Sequence, residues 1–178
     1  MFYTSATFHH NSLRAFATFA DRNRNEPLQY VSTRGEAATL GFSDALLTGL
    51  ARDGGLYVPA QWPQFSKKDI RALRGKSYQD IAYTLLLPFV EGDIEAEDFR
   101  KMVDEAYGSF RHPAVAPLVQ TGENSFILEL FHGPTLAFKD VAMQLLSRLM
   151  DHVLRQRGQR ATIVGATSGD TGGAAIEA

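Results

Sequence analysis

The strongest constraint on the fold is a run of three elements near the C-terminal end of this sequence. Residues 125–130 (SFILEL) are rich in strand-forming side chains. Residues 138–156 then repeat apolar side chains at Val141, Leu145, Leu149 and Val153, with Ala142, Leu146 and Leu154 beside them and Gly158 as a stop. That spacing makes one face of an α-helix. Residues 161–166 (ATIVGA) form an apolar, β-branched run, the pattern of a strand covered on both faces. Strand, helix and buried strand in succession predict a βαβ unit, with a parallel sheet and a right-handed crossover.

Upstream the pattern is mostly helical. Residues 28–33 (LQYVST) and 56–59 (LYVP) read as short strands around FSDALLTGLARDGG, where Ser43 is placed to cap a helix and Gly54-Gly55 to end it. Helices are predicted over 67–74, 78–90 and 94–107, with Ser66, Ser77 and Asp93 as capping candidates. Pro88 should kink or end the second. Residues 117–121 and 125–130, split by a Gly-Glu-Asn turn, read as a pair of strands. The expected organisation is an extension over 1–27, a small helical domain over 28–108 and the start of an α/β domain over 109–178. The sequence stops at Ala178 inside GGAAIEA, a helix just beginning, so that second domain is expected to be incomplete.

Several function classes drop out. With no cysteine there is no thiol catalysis, disulfide or Cys-ligated zinc, which fits a reducing cytoplasm. The five histidines show no metal-ligand spacing, so no metal site is expected. His132 is read as shaping its loop and is given no catalytic role. A net charge of −2 and a pI of about 6.2 do not suit a nucleic-acid partner. No apolar run approaches the roughly 20 residues that span a bilayer, and residues 1–27 lack the continuous apolar core of a secretory signal.

In an open α/β sheet, ligands bind beyond the carboxyl ends of the strands. Both loops of the predicted unit emerge there: His132 to Lys139 before one helix, and Thr167 to Gly173 before the next. Helix N-termini offer free N–H groups to anions. A lysine in a first helical turn is electrostatically misplaced, and an ammonium so disfavoured gives up its proton for imine formation with an aldehyde. Position alone leaves a second reading open, a solvated surface lysine beside an Asp140 that serves the helix dipole. TSGDTGG matches neither a Walker A loop nor a dinucleotide fingerprint, and Ser168 is not in a nucleophile elbow. What remains is a hydroxyl-bearing loop suited to a carboxylate, or a glycine-rich turn needed only for packing.

Four ordered motifs carry the resemblance: QYVSTRGE (29–36), ARDGGLYVP (51–59), ELFHGPTLAFKD (129–140) and ATSGDTGGAA (166–175). Together they resemble the threonine synthase family, from about Leu28 to the end of the sequence. The resemblance implies a fold of the tryptophan-synthase-β-like class, with a small N-terminal domain before pyridoxal-phosphate-binding α/β lobes. It implies Lys139 as the residue that holds pyridoxal 5'-phosphate and moves protons, Asp170 near the cofactor, and Thr167, Ser168, Gly169 and Thr171 around the substrate carboxylate. Many relatives in the wider class carry asparagine where Asp170 stands, which favours this family over cysteine synthase or serine dehydratase. The implied reaction takes O-phospho-L-homoserine and water to L-threonine and phosphate. The later cofactor-phosphate loop should lie beyond Ala178, so this chain alone is expected to be inactive and to bind cofactor weakly. Two alternatives stand beside it: a non-catalytic fragment that self-associates through an open sheet edge, and another pyridoxal-phosphate lyase acting on a hydroxy amino acid.

Overall fold

The computed structural model describes residues 27–167 and 169–178, so residues 1–26 of the expected 1–27 extension, and Ser168, lie outside the described residues. In chain order the elements are β1 (Tyr30–Ser32), α1 (Phe42–Thr48), β2 (Tyr57–Pro59), α2 (Lys67–Ala72), α3 (Tyr78–Val90), α4 (Ala96–Gly108), β3 (Leu118–Gly122), β4 (Ser125–Leu128), α5 (Asp140–Gln156) and α6 (Asp170–Glu177). This is a mixed α/β fold whose first part is mainly helical with short strands.

The core forms where the helical stripes meet. On α4, Phe99, Met102, Val103, Ala106 and Tyr107 recur at three- and four-residue spacing and are all buried. They meet Ala82 and Val90 of α3 and Leu145 and Leu149 of α5 in one cluster, with Val115 beneath. Phe99 and Val103 are 0% exposed, and each such side chain contributes about 1.5–3 kcal/mol through burial. A smaller cluster of Leu28, Tyr30 and Ala45 anchors the β1–β2 pair to α1. Among the described helices none is long and apolar enough to cross a membrane.

Local chemistry sets most helix ends as expected. Ser66 forms a reciprocal capping box with Asp69 at α2, and the Ser77 hydroxyl accepts from the Asp80 N–H at α3. Pro88 lies inside α3, which ends two residues later at Val90. Two caps differ from the reading of the sequence. Ser43 lies buried inside α1, whose N-cap is Gly41, and the helix ends at Gly49 rather than at Gly54-Gly55. Asp93 does not cap α4; its Oδ2 accepts the Ser43 N–H at 2.6 Å, so it serves the N-terminus of α1 across fifty residues.

The sheet departs further from the expected βαβ unit. β1 pairs with β2 and β3 with β4, both antiparallel, and each forms a two-stranded sheet. Residues 161–166 form no strand, and Ile163 and Val164 are 74% and 92% exposed. The βαβ unit is therefore not closed among the described residues. A parallel strand needs a neighbour at a free edge, and β4 uses one edge on β3 while the other takes no strand among the described residues.

Candidate active site

The segment leading into α5 is a tight, self-bonded loop. Its entry is held by His132, whose carbonyl accepts the Arg111 N–H at 2.9 Å and whose Nε2 lies 2.8 Å from Glu129 Oε2. The His132 ring also packs on His112, with centroids 5.0 Å apart. That agrees with a shaping role for this histidine. The Leu136 N–H then returns to the Gly133 carbonyl at 3.2 Å, with Leu136 at φ 64°. A non-glycine residue rarely adopts that backbone conformation.

Lys139 stands at the N-cap of α5, where its carbonyl accepts the N–H groups of Ala142 and Met143 at 3.1 and 2.9 Å. Its side chain is half-buried, and Nζ sits 4.7 Å from the centroid of the Phe138 ring. Among the described residues it makes no ion pair. Its neighbour Asp140 is fully buried and does not simply face the helix dipole. Oδ2 accepts the Thr135 N–H at 2.8 Å and Oδ1 the Thr135 hydroxyl at 2.7 Å. Gly133 gives that carboxylate room, since a Cβ there would lie 2.4 Å from Asp140 Cβ and from its Oδ2. Thr135, Gly133 and the burial of Asp140 escaped the sequence reading. The available signal was a threonine five residues before a helix-opening aspartate, and first-turn acids are ordinarily assigned to the dipole.

The second loop opens α6. The Thr167 hydroxyl accepts the N–H groups of Gly169 and Gly172, both at 3.1 Å, and so caps this helix from outside it. Gly169 is the N-cap at φ 129°, Asp170 is exposed in the first turn and Thr171 is half-buried. Among the described residues no hydrogen bond or ion pair joins this loop to the Lys139 loop. The two helices do touch: α5 packs against α6, and the Ser147 hydroxyl donates to the Ala178 carbonyl at 3.1 Å.

An aldehyde cofactor needs an amine free of a carboxylate partner on a fixed support, and Lys139 meets both needs. Similarity to known proteins points to the class: threonine synthases, pyridoxal-phosphate-dependent enzymes of the tryptophan-synthase-β-like kind. Residues 29–107 match the family described as threonine synthase N terminus. The chain is 57% identical over 150 residues to threonine synthase from Pseudomonas aeruginosa, covering 84% of this chain and 32% of that protein. In structure it is similar to the pyridoxal-phosphate-bound threonine synthase of Brucella melitensis, with a TM-score of 0.82 and 73% identity over 84% of this chain and 32% of that one. The yeast threonine synthase structure is similar with a TM-score of 0.75 and 38% identity, over 84% of this chain and 32% of that one. The chain is thus similar to threonine synthases over most of its length and spans about a third of the length of the curated relatives it matches.

Proposed function

We propose that this chain is the lysine-bearing part of a threonine synthase, which converts O-phospho-L-homoserine and water into L-threonine and phosphate. The observation that carries the reading is the state of Lys139: half-buried at the start of α5, after a loop bonded to Asp140 through Thr135, with no carboxylate partner among the described residues. When bound, pyridoxal phosphate supplies an electron sink for carbanion chemistry at the substrate. The remaining work belongs to the protein.

Lys139 Nζ is the group that would hold the cofactor by its aldehyde and would carry protons at the substrate Cα and Cβ. Thr167, Ser168, Gly169 and Thr171 receive the substrate carboxylate at the N-terminus of α6, where backbone N–H groups favour an anion. Asp170 is assigned a place beside the cofactor. The Thr167 hydroxyl oxygen already accepts two N–H groups, so its share is to hold the loop in shape and offer its own proton.

The test is to add pyridoxal phosphate to the full-length protein, reduce with borohydride and map the modified peptide. Fixation at Lys139 supports the reading; fixation elsewhere, or none, overturns it. A second reading has its own support. The β3–β4 pair exposes Leu118, Phe126, Ile127 and Leu128, each more than half accessible, and apolar side chains exposed on a small two-stranded sheet favour association. In that reading the chain is a self-associating module, and light scattering without cofactor chemistry would favour it.

A further inference from the structure

Lys139 owes its position to the loop before it, and one buried side chain holds that loop to the helix. Asp140 is 0% exposed, an expensive place for a carboxylate unless its oxygens are bonded. Both are, and both to Thr135. The Thr135 hydroxyl in turn accepts the Ala137 N–H at 3.4 Å. An aspartate serving only the helix dipole needs no bond to Thr135. Here the carboxylate links α5, which is anchored by buried Leu145, Leu149 and Val153, to a loop that carries Leu136 in the left-handed region. Release of the link lets Leu136 relax and lets the residues up to Lys139 move.

We propose that Asp140 is a positioning residue for Lys139: by clamping Thr135 it fixes the 133–136 loop and thereby the place at which Nζ meets an aldehyde cofactor. The inference rests on Lys139 being the cofactor lysine. The proposal gives Asp140 no part in proton transfer, since both its oxygens are bonded to Thr135.

The test uses the full-length protein with Asp140→Asn, Thr135→Val, Thr135→Ser and the double variant Asp140→Asn/Thr135→Val. Thr135→Val keeps the shape and the N–H bond and removes only the hydroxyl, so it remains informative should Asp140→Asn fail to fold. Two readouts are taken. Without cofactor, acylation of Lys139 at fixed pH is measured against the exposed Lys67 and Lys68 as internal standards. With pyridoxal phosphate, the rate of borohydride fixation at Lys139 is measured.

Relative acylation should rise in Asp140→Asn and Thr135→Val as Lys139 leaves its half-buried seat. Cofactor fixation should fall about ten- to a hundredfold, the range for loss of a hydrogen bond to a charged group. The double variant should be no worse than its more severe parent, because both changes cut the same link. Thr135→Ser, which restores the hydroxyl, should behave as the wild type. Unchanged acylation and fixation in variants with lowered thermal midpoints would show that Asp140 only stabilises the fold, and would overturn the proposal. So would additive losses in the double variant. Failure of the wild type to fix cofactor at all would instead overturn the proposed function, and the acylation readout would still decide the positioning role.

Discussion

Gly133→Ala isolates the geometry of the lysine loop in one methyl group. The backbone at Gly133 has no positive φ, so alanine is conformationally acceptable there and the effect is purely steric. The new Cβ would lie 2.4 Å from Asp140 Cβ and from its Oδ2, where carbon atoms normally approach no closer than about 3.5 Å. More than an ångström of movement is therefore required. Moving the backbone costs about 1–3 kcal/mol, as overpacking does. Swinging the carboxylate away strands the Thr135 N–H and hydroxyl, at about 1–3 kcal/mol for each group left unsatisfied. The cheaper route sets the loss, so about 2 kcal/mol is expected, or a fall of about 4–8 °C in thermal midpoint for a chain of this size. Gly173→Ala is the matched control, in the interior of α6 with no atom within 4 Å of the added carbon. It should be neutral or stabilise slightly, because alanine favours helix over glycine. Thermal unfolding followed by circular dichroism reads both. A Gly133→Ala midpoint within about 1 °C of wild type, on the same scale, would refute the packing described for Asp140.

Lys139→Ala should abolish threonine formation by the full-length enzyme, and turnover above a few per cent of wild type, measured as phosphate release, would remove Lys139 from its role. Asp93→Ala should destabilise by about 1 kcal/mol, the usual effect of losing a helix cap, because Oδ2 holds the Ser43 N–H at 2.6 Å; a urea midpoint unchanged from wild type would contradict this. At Asp53, desolvation pushes the carboxyl upward, but hydrogen bonds from Gly55 N–H, the Ser32 hydroxyl and the N–H groups of Ala37 and Glu36 prevail and hold its pKa at about 2, from 3.8. A lowered folded-state value means its stabilisation is complete above about pH 4 and is lost as pH falls towards 2; Asp53→Asn should flatten that part of the melting-temperature profile, and an unchanged slope would reject it. The chain should self-associate through the apolar side chains exposed on β3 and β4; light scattering showing a monomer would overturn this.

Elements whose information is local were legible in the sequence. The α3 range Tyr78–Val90 follows from Ser77 at one end and a proline near the other, and the α4 stripe follows from apolar spacing alone. The β3–β4 pair was visible because a Gly-Glu-Asn turn joins two strands that supply each other's hydrogen bonds. Asp93 shows where local reading fails. It sits where a cap for α4 belongs, yet the chain brings α1 close enough for it to bond Ser43 instead. Nothing within a few residues of Asp93 records that approach.

The same distinction divides the candidate site. The hydrogen bonds that shape the Lys139 loop run between residues 129 and 143 or reach back to Arg111, so the conformation is determined nearly in place. Residues 161–166 are different, since a parallel strand has no partner within its own segment and must await a neighbour from elsewhere in the sheet. Without one it remains exposed, as Val164 does, and the loop it introduces is shaped only by the Thr167 cap on α6. Lysine presentation is thus a property of this region by itself. If the Thr167–Thr171 loop takes the substrate carboxylate, as proposed, strand pairing at ATIVGA is the step that would bring it to that lysine.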